Sequence, residues 1–119
     1  MGVLAQSLTD VVAAKLQTLL QQADRGKARH ADVYDLWFAL SQAAFVVHPR
    51  DVGPCLLARA GSWPELGPIT AARFRQRPVV AFAEQGHRKL RAEQPELEIP
   101  PFDAVWREIL AFVDAMPLA

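Results

Sequence analysis

The sequence has a single cysteine, few glycines, no excess of either charge and no long apolar run. The single cysteine, Cys55, excludes an internal disulfide framework and a cysteine-based zinc site. No apolar run approaches the roughly 20 residues that a transmembrane helix needs. The N-terminus has no basic cluster followed by an apolar core, which a signal peptide requires. We therefore expect a soluble, cytoplasmic protein that has no membrane partner.

The length and the apolar spacing predict one all-α domain over residues 1–119. The apolar residues recur every three or four positions, as on the buried face of an amphipathic helix. No segment alternates apolar and polar residues long enough to indicate a strand. We expect a compact bundle of five or six helices, with an extended proline-rich stretch at residues 94–101. The expected helices cover residues 8–26, 31–47, 51–59, 70–77, 79–92 and 102–113.

Charge is uneven along the chain, although 13 basic residues balance 13 acidic ones overall. Basic residues are concentrated in residues 73–91 and acidic residues in residues 93–119. The simpler interpretation is two solvated faces that attract each other. The alternative is that the arginines bind phosphate oxygens with bidentate geometry. The candidates for RNA contact are Arg73, Arg75, Arg77 and Arg88.

The histidines show no pattern that indicates chemistry. They are His30, His48 and His87, and they share no metal-ligand spacing. We expect them in ordinary surface or capping positions.

Lys15 is the first residue that suggests a site. At about 100° per residue it falls between Val11 and Leu19 around the first helix, inside the apolar arc. One interpretation is that its aliphatic stem covers apolar surface while the ammonium reaches water. The functional interpretation is an ammonium held in a cleft, where it binds a phosphate as a point charge.

Asp32 and Asp35 lie three residues apart, hence on one side of the second helix and outside its apolar stripe. A carboxylate near a helix start is favoured by roughly 0.3–1 kcal/mol, which explains Asp32 better than Asp35. The functional alternative is a general base or a metal-linked carboxylate, tuned by nearby basic residues. Those basic residues are Arg25, Lys27 and Arg29.

The order of three short motifs resembles the C-terminal half of the AbiEii/AbiGii family of nucleotidyltransferase toxins. The motifs are K-L-x-x-L-L from Lys15, R-G-K-x-R from Arg25 and D-x-Y-D-L-W from Asp32. The family has a lysine on one helix, then R-x-K-x-R-D-x-x-D-L across a turn into the next. The segment P-F-D-A-V-W-R-E-I-L-A-F is similar to the family's last helix. The resemblance covers nearly the whole chain.

The resemblance implies a toxin of a type IV toxin–antitoxin or abortive-infection (phage-defence) system. Such enzymes transfer a nucleotide from a nucleoside triphosphate, in characterised cases to the 3′ end of tRNA. The family lysine, which contacts the nucleotide phosphates, corresponds to Lys15. The family aspartate, proposed as catalytic base, corresponds to Asp32. In the family an arginine directly precedes this aspartate, whereas here His30 and Ala31 lie between Arg29 and Asp32. Asp35 is therefore an alternative match. The residues implied to line or brace the site are Arg25, Lys27, Arg29 and Asp35.

The metal-binding motif of this enzyme superfamily is missing from the chain. That motif is Gly-Ser followed about ten residues later by paired acidic residues, since Mg²⁺ needs hard oxygen ligands. Gly61 and Ser62 are followed by a loop without such a pair. We therefore expect a helical half that lacks the α/β half, binds no metal alone and is inactive alone. Mg²⁺ and a nucleoside triphosphate are implied only for a complete enzyme.

The implied partners are a separate N-terminal half or partner protein, tRNA, an antitoxin and a second copy of the chain. A different hypothesis is a non-catalytic module, derived from this family, that binds RNA or protein. A helix-turn-helix regulator is the weakest hypothesis, because Asp32 and Asp35 would face the DNA phosphates.

Overall fold

The computed structural model describes residues 3–26, 32–42 and 47–118, and only the backbone of residues 3–7 and of Leu66. Within these ranges there are five α-helices and no strand, so the all-α prediction is confirmed. Short 3-10 segments cover Pro64–Leu66, Ala71–Arg75 and Pro95–Leu97. The helices are α1 (Val3–Arg25), α2 (Asp32–Gln42), α3 (Pro49–Ala60), α4 (Arg77–Glu93) and α5 (Phe102–Asp114).

Helix α1 lies at the centre of the bundle, in contact with α2, α3 and α4. It begins at Val3, five residues before the start that the apolar spacing predicts. Its buried face carries Val12, Leu16 and Leu19, and burying one such aliphatic side chain contributes about 1.5–3 kcal/mol. Val11 is 45% exposed, so it belongs to the outer surface and not to the apolar arc.

Helix α5 closes the core from the other side of α2. Val105, Ile109 and Val113 are fully buried along one of its faces, as their spacing predicts. Phe74, from the 3-10 segment Ala71–Arg75, is also fully buried and belongs to the same core cluster. The described elements therefore share one hydrophobic core.

Several helix boundaries near prolines differ from those that the sequence predicts. Pro49 is the first residue of α3, because its missing N–H costs nothing in a first turn. Residues 71–75 form a 3-10 segment in which Thr70 provides no side-chain cap, so the α-helix expected at 70–77 is wrong. The stretch expected to be extended contains a 3-10 turn at Pro95–Leu97, followed by Glu98 in the left-handed region at φ 51°.

His87 is completely buried in α4, contrary to the expected surface position. Its Nε2 lies 2.8 Å from the carbonyl oxygen of Pro100, and its ring centroid is 6.1 Å from that of Phe102. Because a carbonyl only accepts hydrogen bonds, Nε2 is the donor. Burial lowers the pKa of His87; the Pro100 hydrogen bond opposes this effect and the charge of Arg91 adds to it.

The buried histidine makes stability depend on pH in a defined window. Unfolded His87 takes up a proton near its ordinary pKa of about 6.5, whereas folded His87 does so only at lower pH. Its contribution to stability is therefore complete above about pH 6.5 and is lost as the pH falls through the folded pKa. Urea unfolding between about pH 8 and about pH 5 measures this loss. His87→Gln keeps a donor without titrating in this range, and an equal pH slope in both proteins would contradict the assignment.

Candidate functional site

The start of α2 lies beside the middle of α1 and brings three charged side chains together. The Lys15 ammonium nitrogen is 3.3 Å from Oδ1 of Asp32 and 3.4 Å from Oδ2 of Asp35. These contacts join residues that are 17 and 20 positions apart in sequence. The structure thus brings together the lysine and both carboxylates that the sequence singles out, while their chemical roles stay predictions.

The two carboxylates occupy different environments. The side chain of Asp32 is 3% exposed, whereas that of Asp35 is 48% exposed. The expectation that both lie outside the apolar stripe of α2 is therefore wrong for Asp32, because α1 covers the first turn of α2. Lys15 is intermediate, with 29% of its side chain exposed. Its ammonium bridges a buried carboxylate and a solvated one.

Gln22 is a member of this cluster that the sequence analysis missed. Its Nε2 donates to Oδ2 of Asp32 at 3.1 Å, and the residue is 2% exposed. Both oxygens of Asp32 therefore accept a hydrogen bond from α1. The available signal was the spacing, since Gln22 follows Lys15 by seven residues, or about two helical turns. Both lie next to the buried Leu19 on the surface of α1.

The cluster leaves Lys15 able to bind an anion. An ammonium has three N–H donors, and Asp32 and Asp35 use two of them. The Lys15–Asp35 contact is solvent-exposed, and exposed ion pairs are worth about 0–1 kcal/mol. A phosphate oxygen can therefore replace Asp35 at little cost while Asp32 keeps the ammonium in place.

The other predicted phosphate ligands do not join this cluster in the described part of the chain. Arg25 lies with its Cζ 4.5 Å from the centroid of the Trp63 ring, a cation–π contact at the end of α1. Lys27 and Arg29 lie outside the described residues. Lys15 and Arg25 are the predicted phosphate-binding residues that the structure describes, and of these two Lys15 lies beside the aspartates.

Three of the four arginines predicted to contact RNA already bond to other groups of the chain. Arg73 donates to the carbonyl oxygen of Pro68 at 2.9 Å, and Nη2 of Arg88 lies 2.7 Å from Oε2 of Glu84 in the preceding turn of α4. Arg77, the first residue of α4, is exposed. The contact of these arginines with RNA stays a prediction.

Arg75 directly connects the basic and acidic parts of the chain. Its Nη1 and Nη2 each donate to an oxygen of Asp114 at 2.7 Å. This hydrogen-bonded pair lowers the pKa of the Asp114 carboxyl and raises the pKa of Arg75. The interpretation of two solvated faces that attract each other accounts for this pair without RNA.

The described residues do not fit a Mg²⁺ site. They contain no cluster of three or more histidine, cysteine, aspartate or glutamate side chains able to hold a metal ion. Both oxygens of Asp32 already accept hydrogen bonds, and the adjacent Lys15 ammonium repels a cation. Gly61 and Ser62 form a turn after α3. The donor set favours an anionic ligand.

Aromatic side chains extend along α2 from the site. The ring of Tyr34 lies 6.0 Å from that of Phe38 and 5.9 Å from that of Trp37, measured between centroids. Phe38 is 47% exposed and follows Asp35 by one turn. An apolar rim that can stack against a planar ring therefore adjoins the exposed carboxylate.

A comparison with protein families gives one match that covers most of the chain. The model of the nucleotidyl transferase AbiEii toxin family, described as a type IV TA system, matches residues 1–108. Searches among curated proteins and among solved structures gave no significant match. In the described part of the chain, no helix combines the length and hydropathy needed to cross a membrane.

The unequal burial of the two carboxylates predicts unequal effects on stability. Asp32→Ala should lower the free energy of unfolding by about 1–3 kcal/mol, because it leaves the buried Gln22 amide without an acceptor. Asp35→Ala should cost less than about 1 kcal/mol, since its ion pair is exposed. Urea denaturation of both variants at neutral pH measures the difference. Equal losses would show that the burial of Asp32 does not govern the site.

Proposed function

This chain belongs to the AbiEii family of nucleotidyl transferase toxins, and on that premise we propose that it contributes the helical part of a nucleotide-transfer site. The observation that carries the proposal is the Lys15 ammonium, held between the buried Asp32 and the exposed Asp35. The ligand is the phosphate chain of a nucleoside triphosphate. Residue roles follow from the exposure and hydrogen bonds of each group.

Lys15 is the phosphate-binding cation of the proposed site. Its ammonium is partly exposed and is anchored through Asp32, so the group is oriented before a ligand arrives. An oriented cation gives up less conformational freedom on binding than a free lysine side chain. The phosphate displaces the weak contact with Asp35 and keeps the anchored one.

Asp35, rather than Asp32, is the carboxylate that acts as general base. A base needs a free lone pair within about 2.6–3.2 Å of the proton that it removes. Asp32 is almost completely buried and both of its oxygens accept hydrogen bonds, whereas Asp35 is about half exposed. In the proposed step Asp35 takes the proton of an acceptor hydroxyl. The hydroxyl oxygen bonds to the α-phosphorus, and the bond from that phosphorus to the pyrophosphate breaks.

The base of the nucleotide or of the acceptor can stack on the aromatic rim. Phe38 is exposed one turn beyond Asp35, and Tyr34 supports it from the preceding turn. A base stacked on an aromatic side chain gains about 1–3 kcal/mol. Such stacking would place the phosphates towards Lys15.

The metal-binding part of the site must come from other residues. Triphosphate chemistry needs a cation that bridges the phosphate oxygens, and the described residues offer no group suited to Mg²⁺. We propose that an N-terminal half or a separate protein supplies it. Membership of a type IV toxin–antitoxin family makes tRNA the proposed acceptor and an antitoxin a proposed partner, in an abortive-infection response.

Substitution of Lys15 tests the phosphate site. Lys15→Met should weaken ATP binding about tenfold, equivalent to about 1.4 kcal/mol, because the aliphatic stem stays while the charge is lost. Isothermal titration calorimetry at low ionic strength provides the affinity. Lys89→Met is the matched control, since Lys89 is an exposed lysine on α4. ATP affinity unchanged by Lys15→Met would refute the assignment.

A second expectation concerns activity. The purified chain alone should incorporate no labelled nucleotide into tRNA when Mg²⁺ and the four nucleoside triphosphates are present, because its described residues cannot hold the metal. The same reaction with the inactivated protein defines the background of this assay. Incorporation above that background would show that the chain itself supplies the metal site.

A further inference from the structure

Gln22 lies beneath the proposed phosphate site, and we propose that it is a positioning residue for Lys15 that acts through Asp32. The inference rests on the proposed function, because it assigns a role to a side chain that cannot touch the ligand itself. Gln22 is 2% exposed and lies on α1, about two turns after Lys15.

The geometry is that of a carboxylate held from both sides. Lys15 donates to Oδ1 of Asp32 at 3.3 Å, and Gln22 donates to Oδ2 at 3.1 Å. With one anchor on each oxygen, the carboxylate has a fixed plane and a fixed direction towards the ammonium. Without the amide, Oδ2 of Asp32 loses the hydrogen bond from Gln22, and the carboxylate holds the ammonium in a less defined position.

A second observation separates this role from simple packing. The Oε1 of Gln22 is buried and has no hydrogen-bond partner among the residues that the structure describes. An unsatisfied buried polar group costs about 1–3 kcal/mol, which an apolar side chain at the same place would avoid. Packing alone therefore does not explain a glutamine here. The N–H that it donates to Asp32 does explain it.

The consequence appears when an anion binds. A phosphate that displaces Asp35 leaves Lys15 with Asp32 as its remaining carboxylate partner in the cluster. The position of the Lys15 ammonium then depends on how firmly the Asp32 carboxylate is held. Gln22 supplies that fixation from a position that solvent does not reach.

Gln22→Met tests the proposal, because methionine has a similar size and no donor. Gln21→Met is the matched control, since Gln21 is the neighbouring residue of α1 and belongs to none of the contacts above. The first measurement is the ¹H–¹⁵N spectrum of the lysine ammonium groups, of which the chain has three. The Lys15 signal is assigned by its loss in Lys15→Arg. Gln22→Met should broaden or shift this signal, and Gln21→Met should leave it in place.

The second measurement is ATP affinity. Gln22→Met should weaken ATP binding about three- to tenfold, and it should add no further loss when Asp32 is already asparagine, because coupled residues are not additive. An unchanged Lys15 signal and affinity in folded Gln22→Met would overturn the proposal. Absence of ATP binding in the unsubstituted protein would overturn the proposed function, while the ammonium signal still decides whether Gln22 positions Lys15.

A second variant covers the case in which Gln22→Met does not fold. Asp32→Asn keeps the shape of the side chain and removes its charge. It should shift the side-chain amide signals of Gln22 together with the Lys15 ammonium signal, because both groups donate to the same carboxylate. A Gln22 amide signal that does not respond would also overturn the proposal.

Discussion

The burial of the Asp32 carboxylate is the constraint on which the arrangement of α1 and α2 depends. Removing a carboxylate from water costs several kcal/mol unless it is paired and hydrogen-bonded. Helix α1 supplies both kinds of compensation, an ammonium from Lys15 and an amide from Gln22. A shift of one helix along the other would break both contacts and remove this compensation from the buried charge. The packing register and the site geometry therefore have a common cause.

The helical part of the fold could be predicted because most apolar side chains of each helix lie on one face. Ile109 and Val113, for example, follow the three-and-four spacing and are fully buried. Spacing also identified Lys15 as a cation among apolar neighbours. The predictions that failed here concern side chains whose burial depends on a second helix. The sequence of α2 alone places Asp32 on the outer side of that helix. It does not show that α1 covers the first turn of α2.

Gln22 and His87 show the same limitation for neutral polar residues. Nothing near Gln22 in the sequence indicates that Asp32 accepts its hydrogen bond, and nothing near His87 indicates the carbonyl of Pro100. The partners are 10 and 13 residues away, on a different element or in a loop. In both cases a polar residue stands beside buried apolar residues of its own helix, and this signal was available but not used. The signal identifies a buried group but not its partner.

The unequal strength of the two contacts of Lys15 connects binding with chemistry. An ion pair is stronger in a low-dielectric interior than at a solvated surface, so the contact with buried Asp32 outlasts the contact with exposed Asp35. On the proposed function, a phosphate approaching Lys15 would therefore displace Asp35 first. The displaced carboxylate no longer shares the ammonium and has both oxygens available to accept a proton. On the proposed function, triphosphate binding would itself release the general base, and the release depends on Asp32 remaining fixed below.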